Sequence, residues 1–126
     1  MHEPPEKATL PAVVEQGYAA WMWLDGRVAS MPVSARRQLG HRMIDAVLDA
    51  LVAATQAAYL PRGPARLREL HAASRSLAVL RILLRGCRER RYLSIDQHEH
   101  AMKLVDDWGR QLGGWIRHDA GVQHGR

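Results

Sequence analysis

Arg81, Arg85 and Arg88 stand at positions i, i+4 and i+7. On a helix that spacing holds all three guanidinium groups within about 60° of one another, on one narrow stripe. Arginine keeps its charge and presents a planar donor fork, which suits it to phosphate and carboxylate. Like charges one turn apart repel by roughly a few tenths of a kcal/mol each, and no acidic residue stands between them. Spacing alone leaves two readings open. Paired with carboxylates such as Asp45 or Asp106, the stripe is a structural ion network. Unpaired, it is a surface for a polyanion.

Other reactive groupings fall short of a site. His98-Glu99-His100 is not the His-Glu-x-x-His zinc helix, because adjacent residues point about 100° apart. His98 belongs on the apolar face as a core or interface histidine, and His100 toward solvent. No Glu-x-x-His pair of the di-iron bundles occurs. Cys87 near an arginine-rich helix end has a setting that lowers a thiol pKa, but it reads as a buried structural cysteine. There is neither a Gly-x-x-x-x-Gly-Lys loop nor a Gly-x-Ser-x-Gly elbow. The expectation is a non-enzyme with no cofactor and no metal, and a metal-dependent bundle enzyme is the weakest reading.

The 126 residues suit one domain. One cysteine excludes a disulfide framework and a cysteine-rich zinc site. No apolar run approaches the roughly 18 residues of a membrane span, and Met1–Lys7 does not open a signal peptide. A cytoplasmic protein without membrane contact is expected. Of 18 basic residues only Lys7 and Lys103 are lysine. Residues 61–92 alone carry a net +7, against +5 for the chain. That segment holds the stripe together with Arg62, Arg66, Arg90 and Arg91, and reads as an electrostatic footprint for a polyanion.

Glycine and proline cut the rest into four helices. Residues 1–12 read as a flexible leader, 13–118 as an antiparallel four-helix bundle, and 119–126 as a polar tail. Val13, Gly17, Ala20, Trp21, Leu24, Val28 and Met31 form the first apolar face. Ser34 is the expected N-cap of the second helix. The third should run from Pro64 to about Arg90. Its middle, Leu77–Leu84, is apolar nearly all round, so its surplus face calls for a neighbouring subunit. Ser94-Ile95-Asp96-Gln97 is a capping box. The fourth helix should fade after Ile116. Gly113-Gly114 within it costs about 2 kcal/mol against alanine, which close helix–helix approach beside Trp108 and Trp115 would offset. Lys103, Arg110 and Arg117 make a weaker stripe, self-paired through Glu99 and Asp106.

Three stretches carry a family resemblance. They are Ser30-Met31-Pro32 before an arginine-rich helix start, Leu70-His71-Ala72-Ala73 through Leu77–Arg85, and Trp108-Gly109-Arg110-Gln111-Leu112-Gly113-Gly114-Trp115-Ile116. Leu93-Ser94 also fits. Over residues 15–117 the chain resembles the Avd family, the accessory variability determinants of diversity-generating retroelements. That family is allied to four-helix-bundle proteins encoded in 23S rRNA intervening sequences. The resemblance implies a small basic protein with no catalysis of its own, assembled as a homopentameric barrel. It further implies binding to the retroelement reverse transcriptase, and to RNA and DNA without sequence choice, in support of mutagenic cDNA synthesis from template-repeat RNA. Arg81 and Arg85 carry over by motif match. Arg88 joins them by helical spacing, and Arg62, Arg66, Arg90 and Arg91 by position in the basic segment. The alternative is a scaffold or adaptor of the intervening-sequence type whose arginines make protein contacts only.

Overall fold

The computed structural model describes residues 11–124. Most of the expected leader and the last two residues of the expected tail lie outside that range. Four helices follow one another: α1 (Ala12–Ala29), α2, α3 (Pro64–Glu89) and α4 (Ile95–His124). α2 comprises Val33–Ala35, a π-helical turn at Arg36–Gly40, and His41–Tyr59. No strand occurs among the described residues. α1 packs beside α2 and α4, and α3 beside α2 and α4. The helices therefore stand at the corners of a square, as an antiparallel four-helix bundle requires.

Local chemistry explains the boundaries. Gly63 has φ 155°, which glycine alone enters cheaply, and Pro64 then fills the first helical position, where its missing N–H costs nothing. The capping box forms as expected. The Gln97 amide donates to Ser94 Oγ and the Ser94 amide donates to Gln97 Oε1, each at 3.0 Å. Ser34 is not the N-cap of α2. Pro32 is extended there and its carbonyl already accepts from the Arg36 amide at 2.9 Å. The helix thus opens two residues early, with Ser34 inside its first turn.

Leu24, Met43, Leu70, Leu77, Leu80, Leu84, Trp108 and Leu112 fill the core. The surplus apolar face of α3 is present: Val79 and Ile82 are 54% and 65% exposed. Cys87 is fully buried with Sγ 3.7 Å from Met43 Sδ, and burial pushes its thiol up to about 11, although Arg90 pulls the other way. It is a packing residue.

The tight approach between helices is not at Gly113-Gly114. A Cβ at either would meet only the Arg117 guanidinium, at 3.3 and 3.9 Å; nothing in the packing explains their cost. The close contact is at Gly17, where a Cβ would overlap the Trp108 ring, with Cη2 at 2.8 Å. A second is at Gly40, whose added Cβ would stand 2.7 Å from Val28 Cγ1.

α4 does not fade after Ile116 but runs on to His124. Asp119, expected in a polar tail, is 1% exposed. It accepts from Arg66 Nε at 2.6 Å and from Arg66 Nη2 at 2.8 Å, a bidentate pair. The Arg66 guanidinium also lies 5.3 Å over the Trp115 ring. Three groups from α3 and α4 thus hold the last turns of α4 onto the bundle.

Candidate nucleic-acid interface

The arginines of the basic segment divide by what they touch. Arg66 is committed to Asp119 and Trp115. Arg62 leans on the same lock, 3.8 Å from Asp119 and 3.4 Å from the His118 ring. Both sit at the opposite end of α3 from the stripe.

The stripe faces α4. Arg81 Nε donates to Asp106 Oδ1 at 3.1 Å, one of the two carboxylates that spacing offered. The end of the Arg81 side chain passes close over Gly109. A Cβ there would stand 2.6 Å from Arg81 Nη2, so the guanidinium lies across bare backbone one turn below Asp106. Arg85 pairs only with Glu89, one turn on along its own helix, at 3.2 Å, and is 73% exposed. Such pairs contribute little and exchange readily with water. Arg88 is exposed and makes no ion pair among the described residues. One end of the stripe is therefore an ion pair, and the other is open cationic surface.

That open end continues around the turn into α4. Arg90 is exposed and donates to the Gly86 carbonyl at 3.4 Å. Arg91 sits at φ 61°, the only non-glycine residue with positive φ among those described. The Tyr92 amide donates to the Cys87 carbonyl at 2.8 Å and the Arg91 amide to the Arg88 carbonyl at 3.0 Å. This is the Schellman pattern, in which glycine is the usual residue at the left-handed position. Arg88, Arg91, Leu93, Ser94 and Ile95 border a groove at this corner. Alongside it His98 lines a neighbouring groove with Arg88 and Lys103. Burial and then the Arg88 charge hold the His98 pKa below its ordinary value. Its Nε2 is buried without a hydrogen-bond partner among the described residues.

The weaker stripe on α4 is self-paired, but through a different residue from those expected. Lys103 and Arg110 both bind Asp107, and both pull its carboxyl below the usual range. His100 is exposed yet tilts against Trp23, ring centroids 4.7 Å apart.

The sequence matches the bAvd-like family model over residues 19–118. The chain belongs to the bAvd-like family. Membership marks it as an Avd-type accessory protein, and the matched span takes in the stripe and the whole open corner. Searches of curated proteins and of solved structures found no match. In this bAvd-like chain no helix among the described residues is long and apolar enough to cross a membrane. Asp119 stands one position past the matched span. Sequence reading missed one positioning residue, Asp119, hidden by a polar stretch resembling a tail, and the close passage of Arg81 over Gly109.

Arg91 yields a prediction here. A left-handed arginine is held at a cost of roughly 1 kcal/mol that glycine avoids. Arg91→Gly should raise the midpoint of urea unfolding by an equivalent of about 0.5–1 kcal/mol. The same change should weaken nucleic-acid binding in a filter or anisotropy assay. Unchanged binding would show that the strained arginine serves something other than the corner.

Proposed function

We propose that the protein binds the reverse transcriptase of a diversity-generating retroelement, and binds RNA and DNA through the open end of the α3 stripe. In this reading it supports mutagenic cDNA synthesis as a non-catalytic, multimeric partner. The observation that carries the nucleic-acid part is the exposure of Arg85 and Arg88, continued by Arg90 and Arg91, with no stronger ionic partner among the described residues than a surface glutamate. Family membership supports the polymerase part. Arg81 borders the surface while bound to Asp106, and Arg62 and Arg66 hold the far end of the bundle.

Contacts of this kind neutralise phosphates and release counterions, so affinity should fall steeply with salt. Arg85→Ala with Arg88→Ala should flatten the log–log salt slope by about one for every phosphate left unneutralised. Anisotropy titrations on a labelled single strand and a duplex, between low and moderate salt, measure it. An unchanged slope with the fold intact removes these residues from the interface. Absence of any affinity at low salt favours the second reading, an adaptor whose arginines serve protein contacts only, for which the Arg81–Asp106 and Arg66–Asp119 pairs are the precedent within the fold.

A further inference from the structure

Two grooves meet at the open corner, and they differ in charge. One, of about 470 Å³, is lined by Arg88, Arg91, Leu93, Ser94 and Ile95. Its lining holds two arginines and no carboxylate. The other, of about 420 Å³, shares Arg88 and Ile95 with it and adds His98, Glu99, Met102, Lys103 and Asp106. There two cations are matched by two carboxylates. We infer that a single-stranded nucleic acid seats a backbone phosphate in the first groove and turns one unpaired base, bearing an exocyclic amine, into the second. The inference rests on the reading that this corner binds nucleic acid, and names the form of strand and the class of base that it takes.

Charge assigns the phosphate. Arg88 and Arg91 are both exposed, and a guanidinium fork matches phosphate oxygens. Ser94 Oγ accepts from the Gln97 amide at 3.0 Å, which leaves its hydroxyl hydrogen to donate; serine is a regular phosphate partner. A phosphate in the second groove meets Glu99 and Asp106 instead, and is repelled. Each groove is within the roughly 300–1,000 Å³ usual for small-ligand sites. Arg88 borders both, so a base and its own phosphate reach them together.

The lining of the second groove assigns the base. Ile95, His98, Met102 and Asp106 follow at steps of three and four, a stripe about 16 Å long on α4. Ile95 is 63% exposed and Met102 partly buried. This apolar wall offers nothing to a phosphate and packs against the flat face of a base. Two of the charged groups are already engaged: Asp106 accepts from Arg81, and Lys103 donates to Asp107, each at 3.1 Å. Glu99 is exposed and makes no ion pair among the described residues. A carboxylate accepts from the amine of cytosine, where thymine carries a carbonyl. His98 Nε2 is buried with no hydrogen-bond partner among the described residues, and a buried polar atom of this kind calls for one. The edge of a base carries donors and acceptors, so it complements either tautomer of the imidazole. In a duplex the same edges are paired and the bases stacked, and only a single strand turns one out freely.

Strands of equal length that differ only in their bases test the assignment. Labelled oligocytidine, oligothymidine and abasic DNA strands, with a duplex as control, are titrated by anisotropy against wild type, His98→Ala and Glu99→Ala. Circular dichroism establishes that each variant is folded. Wild type should bind the cytosine strand at least about fivefold more tightly than the abasic strand, the gain expected of one seated base. His98→Ala should bring those two affinities together. It should leave duplex binding and the salt slope unchanged, because the phosphate contacts remain. Glu99→Ala should abolish the preference for cytosine over thymine, a ratio in which the general effect of the lost charge cancels. Should His98→Ala fail to fold, Glu99→Ala at the exposed rim decides alone. A wild type that binds all three strands equally overturns the seated base and leaves the phosphate contacts standing. A cytosine preference that survives the substitutions overturns these grooves as its place. Absence of binding to any strand at low salt overturns the nucleic-acid reading itself, and leaves the corner to the carboxylates of a protein partner.

Discussion

Asp119→Ala should destabilise the protein by about 3 kcal/mol, the lower part of the roughly 3–5 kcal/mol expected when one partner of a buried ion pair is removed. The carboxylate is almost wholly enclosed and grips Arg66 by two hydrogen bonds. Without it, Arg66 is left partly buried with its charge unanswered, and Arg62 nearby adds a like charge. Replacing both partners, as Asp119→Leu with Arg66→Met, should cost much less, since no uncompensated charge remains. Urea unfolding followed by circular dichroism separates the two cases, and hydrogen exchange should place the largest loss of protection in the last turns of α4. Equal losses from the single and the double change would contradict this account.

The same pair sets an acid dependence. Hydrogen bonding from Arg66, then the charges of Arg66, Arg62 and His118, hold the Asp119 carboxyl below the usual range against its burial. An aspartate in the unfolded chain titrates near about 3.9. A group whose pKa is depressed by folding contributes stability that is present above the unfolded value and lost as pH falls through the folded one. Wild-type stability should therefore drop below about pH 4, and Asp119→Asn should remove that part of the drop.

Gly17→Ala should cost about 2 kcal/mol, although alanine is the better helix former by roughly 1 kcal/mol. The added methyl group falls within the fully buried Trp108 ring. Relief requires α1 and α4 to move apart or the indole to leave its place, and overpacking of this sort outweighs the propensity gain. Trp108→Leu in the Gly17→Ala background should recover part of the loss by making room for the methyl group. Trp108→Leu alone leaves a cavity. It sacrifices no hydrogen bond among the described residues, where Nε1 of that ring has no partner. A double-mutant cycle from thermal unfolding measures the coupling; simple additivity would show that the two residues do not confront each other.

The bundle was legible because each helix repeats its apolar residues at steps of three and four, and because proline, glycine and the Ser94–Gln97 box punctuate them. Leu70, Leu77, Leu80 and Leu84 must share a face on any α-helix, and they do. The arginine stripe was legible for the same reason, but its partners were not. Whether Arg81 finds Asp45 or Asp106 depends on which helix lies beside α3, and periodicity within one helix says nothing about neighbours. Gly17 and Gly113 look alike in sequence, yet only one faces an indole on another helix. Asp119 was hidden because a buried carboxylate and a solvated one are the same letter until the arginine that encloses it is placed in space.

The π turn at Arg36–Gly40 has a consequence for the reading frame of α2. Ala35 and Met43 are both fully buried, yet in an uninterrupted α-helix eight residues advance about 80° past a whole number of turns, which would set them toward opposite edges of the buried face. One extra residue absorbed by the π turn cancels that advance and leaves a mismatch of only about 20°. The helix thus joins two frames out of step by a single residue, and the turn is the splice between them. Any stripe traced by counting through Gln38 falls one position out of phase on the far side, whereas counting within either frame recovers the face that meets the core.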